Sequence, residues 1–226
     1  MGILADKAFR RSLQAMCLAA VVVCVSGCRF NVAVLRTLLG DPQVTSGFEN
    51  RLSVDLTDSP KRLLVLCQAS HSITSQEASL PIDLTSGITT RLRAEGINVV
   101  DADEVTDWID ENGSWDDLSS VGEEFDADYI AVIRLQGISY NEPNSTNLYR
   151  AYATGAMTVF EMVDTGAESK RAVERYSSNV NETFPNTYPI SADQSSEAMF
   201  RKKTLDHLST ILARHFHSYH PRETIN

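Results

Sequence analysis

The chain has 226 residues, 42% of them hydrophobic, which is enough to build one substantial core. Its 30 acidic against 20 basic side chains give a formal charge of −10. That balance argues against nucleic acid and anionic lipid surfaces as partners, because both attract basic patches.

The first element in chain order is an export signal. Lys7, Arg10 and Arg11 precede the apolar residues 13–25, and Val25-Ser26-Gly27-Cys28 closes the stretch. The apolar run is 13 residues long, short of the roughly 20 that a helix needs to cross the hydrocarbon layer. The closing four residues resemble the lipobox of bacterial lipoproteins, with a branched apolar residue and two small ones ahead of the cysteine that is acylated. The resemblance implies removal of residues 1–27 and lipid on Cys28. Two or three acyl chains, at about 0.8 kcal/mol per buried methylene, make such attachment effectively permanent. Arg29 follows the cysteine where retention at the inner membrane would call for aspartate, so the resemblance implies the outer membrane, facing the periplasm. Of the four cysteines, Cys17 and Cys24 leave with the signal and Cys28 takes lipid. Cys67 then remains alone, so no intramolecular disulfide is expected and packing must stabilise the fold.

Residues 28–60 mix short apolar pieces with Gly40-Asp41-Pro42 and Asp58-Ser59-Pro60 and read as a lipidated tether with one short helix. An α/β domain is expected over residues 61–217, and a carboxyl-terminal tail over 218–226. Within the domain, residues 62–67 form a near-continuous apolar run of strand length, as in a strand covered on both faces. Leu84, Ile88 and Leu92 recur at four-residue spacing after Pro81, and Gly96 stands where that helix stops. Residues 97–100 read as a second strand. Asp103 looks like the N-cap of a short helix holding Val105, Trp108 and Ile109, ended by Asn112-Gly113, and residues 116–125 as another helical stretch. Residues 128–140 contain a further buried-strand run. Residues 149–163 and 170–180 are strand-like and joined by Asp164-Thr165-Gly166-Ala167-Glu168 as a hairpin. Leu205, Leu208, Ile211, Leu212, His215 and Phe216 form the stripe of a closing helix. The order is β-α-β-α-β-β-β-α, which predicts a single mixed sheet with parallel pairing across each strand-helix-strand unit.

A helix ending in Ala94-Glu95-Gly96, the strand residues Asn98-Val99-Val100, the entry Phe125-Asp126-Ala127-Asp128-Tyr129-Ile130 and a hairpin around Val163-Asp164-Thr165-Gly166 together resemble an envelope lipoprotein superfamily. It includes the curli-secretion lipoprotein, the lipoprotein activators of penicillin-binding proteins and the amino-terminal domain of the Tol-Pal component TolB. The resemblance spans about residues 60–217. It implies an α/β sheet and an assembly or docking role without catalysis. The pore hairpins of curli secretion have no counterpart among these segments.

Candidate reactive groups each have a plainer account. Cys67 with His71 offers a nucleophile and a base, yet Cys67 lies in the apolar run, where free cysteines are usually inert packing. Asp101 and Asp103 at a strand end could hold a hydrated cation, although helix capping explains Asp103 equally well. His215, His217 and His220 invite a zinc proposal, but residues two apart on a helix face away from each other. The common phosphate-loop, nucleophile-elbow and metalloprotease signatures are absent. No catalytic residue, metal or cofactor is therefore assigned, and the expected function is a lipid-anchored adaptor that binds another envelope protein. An envelope glycan- or cation-binding module and an unrecognised enzyme are the alternatives. Parallel strands would deliver residues 68–79, 141–147 and 181–194 to one end, where Phe184, Asn186, Tyr188, Pro189 and Asn144 are expected to form the partner-binding surface.

Overall fold

The computed structural model describes residues 43–221 apart from 114, 116, 167 and 168. A short helix α1 (Gly47–Leu52) leads to strand β1 (Leu63–Ala69), the single turn α2 (His71–Thr74) and the long helix α3 (Leu80–Ala94). Helices α4 (Ala102–Asn112) and α5 (Leu118–Glu124) follow, then the long strands β2 (Tyr129–Asn141), β3 (Leu148–Asp164) and β4 (Lys170–Phe184). The two-residue strand β5 (Ile190–Ser191) and helix α6 (Glu197–Ala213) close the domain.

One mixed sheet runs β1-β2-β3-β4, with β5 pairing the start of β3 beside the end of β4. β1 and β2 are parallel from Leu63↔Tyr129 to Ala69↔Leu135, and the remaining pairs are antiparallel. The expected strand at residues 97–100 shrinks to a single parallel bridge, Leu63↔Val99. Its two bonds are Leu63 N–H to the Asn98 carbonyl (2.9 Å) and Val100 N–H to the Leu63 carbonyl (3.0 Å). Asp101 then starts α4 at once, which leaves no length for a ladder.

The alternation of β1 explains the layers. Leu63 and Val65 face one side and Leu64 and Leu66 the other, and all four are buried, so both faces are covered. On the first face lie Leu80, Leu84, Ile88 and Leu92 of α3, one stripe at the helical period, with Leu208, Leu212 and Phe216 from α6 and its extension. Full burial of each such side chain contributes about 1.5–3 kcal/mol. On the second face α4 and α5 bring Val105, Val121 and Phe125 over Leu64, Leu66, Ile130 and Val132, with Trp108 against Phe125 at 6.0 Å. Gly122 lets α5 sit this close, because a Cβ there would meet the Met162 side chain. Another glycine serves the sheet itself. β2 carries an irregularity between Leu135 and Gly137, and a Cβ on the facing Gly155 would run into the Arg134 carbonyl oxygen.

The expected tether differs over the described residues. Ser46 caps α1 by accepting a hydrogen bond from Glu49 N–H (3.1 Å), and the helix inserts Phe48 into the first core. Phe48 and Leu56 are fully buried, and the Phe48 ring meets Tyr129 edge-on at 5.1 Å and Phe216 at 5.8 Å. Residues 44–60 therefore belong to the folded domain. Scattered apolar residues without a period concealed this, because a one-turn helix plugging a core shows none. The expected tail is shortened at its start too: Val44 and Tyr219 exchange two backbone hydrogen bonds, at 2.8 and 3.1 Å. The lipobox, Cys28 and residues 28–42 lie outside the described residues, as do 222–226. No helix among the described residues is long and apolar enough to cross a membrane.

Candidate partner-binding site

The parallel pairing of β1 and β2 points both carboxyl ends the same way, and β4, antiparallel to β3, ends there too. The three expected segments do meet at that end. Ser70 N–H donates to the Leu135 carbonyl (2.9 Å), which turns the chain after β1 against β2. The β2–β3 connection and the loop after β4 are joined by Ala192 N–H to the Asn147 carbonyl (2.9 Å) and by the Tyr149↔Ile190 pairing. An Arg150 guanidinium nitrogen reaches the Asn186 carbonyl at 3.3 Å while another lies 3.8 Å from Glu142. Glu142 also accepts from the Tyr152 hydroxyl at 3.1 Å. The amino ends of α3 and α6 sit at this same end, since α6 packs along α3 and Leu205 and Arg201 share a cavity with Leu80.

Of the residues assigned from sequence, Asn144, Asn186 and Tyr188 are exposed and Pro189 is half-buried. Asn144 occupies the left-handed region at φ 63°, where asparagine is tolerated at a turn. Tyr188 stands out with 84% of its surface exposed. Phe184 is the exception: it is buried, stacked on His207 at 4.6 Å and on Phe200 at 6.0 Å, with Tyr149 stacked on Phe200 at 5.4 Å. It closes β4 with its side chain on the α6 side of the sheet, so it anchors the loop and does not display itself. The loop thus has both ends fixed by packing and pairing, and Tyr188 stands on a supported turn.

A second feature of this end was not legible in sequence. Tyr140 donates to Glu77 at 2.7 Å, Arg201 pairs with the same Glu77 and with Glu197, and its guanidinium lies 4.4 Å above the Tyr140 ring. Burial pushes the Tyr140 phenol up to about 12, so it stays a proton donor at any physiological pH. Two cavities adjoin the cluster, of about 720 and 360 Å³. Residues 77, 140 and 201 are far apart in the chain, and no local pattern unites them.

Most of the other sequence candidates have structural partners. Burial pushes the Cys67 thiol up to about 12, partly countered by a hydrogen bond with Thr85. Cys67 and Thr85 are packed between β1 and α3, while His71 is exposed on α2. Asp101, not Asp103, caps α4: its carboxylate accepts from Asp103 N–H at 3.0 Å and pairs with Arg93 at 2.7 Å. These bonds, the backbone one first, hold its carboxyl below the usual range. His215 Nδ1 bonds the Tyr176 hydroxyl at 2.8 Å, and His217 Nδ1 lies 3.1 Å from the Ser218 carbonyl. Among the described residues no group of three His, Cys, Asp or Glu side chains is placed to hold a metal.

Neither a protein-family model nor a curated protein matches the sequence. Solved structures do resemble it. A PelC dodecamer from Paraburkholderia phytofirmans aligns at 12% identity with a TM-score of 0.42, over 78% of this chain and 97% of that one. Lipoprotein GNA1162 from Neisseria meningitidis aligns at 14% identity and 0.37, over 68% and 99%. The hypothetical protein CT253 from Chlamydia trachomatis aligns at 10% identity and 0.41, over 70% and 94%. Bacterial lipoproteins are thus among the chains similar in fold, but at such identity no residue role or assembly is taken from them. The curli-secretion, activator and TolB groups are not singled out, so the superfamily drawn from the sequence stands as a resemblance.

Proposed function

We propose that the chain is a lipid-anchored envelope adaptor, exported, held by lipid on Cys28 at the outer membrane facing the periplasm, that binds another envelope protein through the loop end of its α/β domain. The anchoring half rests on the run of basic, apolar and small residues closing in Val25-Ser26-Gly27-Cys28. The binding half is carried by one observation: Tyr188 is held out to solvent on a loop whose two flanks are fixed by Phe184 packing and Ile190 pairing. A loop braced at both flanks loses little backbone freedom on contact, and tyrosine is among the residues that most often dominate interface energy.

Cross-linking from intact cells, followed by recovery of the tagged chain, identifies the partner. Tyr188→Ala, and separately removal of residues 186–190, should leave the melting transition nearly unchanged while reducing capture at least tenfold. Capture retained by both variants would refute a docking role for this loop.

A further inference from the structure

β1 and β2 are of unequal length. β1 ends at Ala69 opposite Leu135, whereas β2 runs on to Asn141 and stays paired with β3 to its end. The last contacts on the β1 side are Ser70 N–H to the Leu135 carbonyl and the Ser70 hydroxyl to the Gln136 carbonyl (3.1 Å). Beyond them, residues 137–141 have no strand beside them on that side among the described residues. At about 3.3 Å per residue this is roughly 16 Å of open strand edge. It is not left to solvent on a flat border: Ser72, Ile73, Gln76 and Glu77 stand across from it, and a groove of about 360 Å³ lies between.

We propose that this groove binds an extended segment of a partner polypeptide, which adds to the free edge of β2 as a short extra strand. It goes beyond the adaptor role set out above, since it stands on a sheet edge and not on the Tyr188 loop. An unpaired strand edge presents N–H and C=O groups at the repeat of another backbone, and strand addition of this kind is a common mode of peptide capture. Affinity then comes from the main chain and selectivity from pockets for alternate side chains.

The neighbouring space supplies those pockets. The groove continues past the shared Glu77, Tyr140 and Arg201 into the cavity of about 720 Å³, where Leu80 and Leu205 offer apolar wall. The cationic Arg201 pairs with both Glu77 and Glu197 and sits on the Tyr140 ring, so the floor is braced and one guanidinium against two carboxylates leaves it weakly acidic. On the rim, Asp83 and Lys202 line the cavity with no ion pair among the described residues. The segment that fits is an alternating one: an apolar side chain entering beside Leu80 and Leu205, with an acidic residue toward Lys202 and a basic one toward Asp83. A small metabolite would leave the backbone edge unmatched.

A random heptapeptide phage library panned on the purified full-length chain in detergent provides the probe, and the enriched peptides are synthesised. The expected peptides show alternating polarity and slow amide exchange at residues 137–141 at least tenfold when bound. Ser72→Trp and Ala78→Trp, both at exposed groove positions, should each weaken binding at least tenfold with an unchanged melting transition. Lys202→Glu should weaken peptides carrying the acidic residue at least threefold. Tyr188→Ala should bind the peptides normally, which separates this site from the loop: loss of partner capture in that variant, with no peptide enriched, would leave the adaptor role standing and overturn the groove. Enriched peptides that bind both tryptophan variants, or that leave residues 137–141 unprotected, also overturn it. Protection appearing without peptide as the protein's own concentration rises would assign the edge to a second copy of the chain, against the proposal.

Discussion

Replacing Phe48 with alanine removes a ring that is fully buried between Tyr129 and Phe216, at the junction of α1, β2 and the end of α6. Truncation of a buried phenylalanine costs about 3–5 kcal/mol, transfer and cavity terms together. The upper half of that range applies, because the two ring contacts each add about 0.5–1.5 kcal/mol beyond the buried area. A domain of this size has about 5–15 kcal/mol to lose, and each kcal/mol moves its melting temperature by about 2–4 °C. The expected drop is roughly 8–20 °C. Urea unfolding followed by circular dichroism gives the free energy directly, with Ile82→Ala on the exposed side of α3 as the control, expected within about 0.5 kcal/mol of wild type. A loss below about 1 kcal/mol for Phe48→Ala at unchanged slope would mean that residues 44–60 do tether the domain and do not complete it.

Cys28→Ser should abolish incorporation of a fatty-acid analogue and leave the precursor uncleaved; a labelled mutant would end the lipobox assignment. Leu84→Ala and Leu92→Ala should each cost about 2–5 kcal/mol in the same urea titration. Gly155→Ala should cost about 1–3 kcal/mol although it adds only a methyl group, since the obstructing atom is backbone and cannot swing aside. Burial lowers His215 from its ordinary value of 6.5, with the Glu182 charge opposing, so the unfolded chain takes up the proton first. Stability is then full above about pH 6.5 and declines as pH falls from there toward the folded value. Titrating the urea midpoint between pH 7.5 and 5 should show that loss, and His215→Gln should flatten it; an unchanged slope would exclude His215 as the source. Cys67 should resist iodoacetamide at pH 8 in the folded chain and react once urea unfolds it.

The elements with a period were legible. Leu84, Ile88 and Leu92, the apolar run of β1 and the long strands of the β3–β4 hairpin announce themselves because repeated burial imposes the pattern over many residues. Strand direction followed as well, and with it the meeting of three loops at one end, since parallel pairing fixes which loops must be neighbours. What stayed hidden depends on single contacts. Nothing local distinguishes Phe48, which plugs the core, from Tyr188, which stands in solvent, and Phe184 looked like loop surface although stacking on Phe200 and His207 decides its place. The N-cap of α4 shifted by two residues because Asp-Ala-Asp offers two chemically equal candidates. The Glu77–Tyr140–Arg201 cluster joins α2's flank, β2 and α6 across more than 60 residues at each step, a distance at which sequence spacing carries no information.

The Val44–Tyr219 bridge sets how the domain would respond to mechanical load. A tug arriving through residue 44 meets two backbone bonds to Tyr219 first, then the Phe48 plug, which hands the force both to Phe216 beyond α6 and to Tyr129 at the start of β2. α6 packs along α3 and acts as a strut, so part of the load passes into that helix pair and part enters the sheet through Tyr129. The end bearing Tyr188 lies at the opposite extremity of that strut. Opening by such a load would therefore begin at the Val44–Tyr219 bonds and the Phe48 contacts, at the end of the domain remote from Tyr188, before it reaches the rest of the β2–β3 ladder.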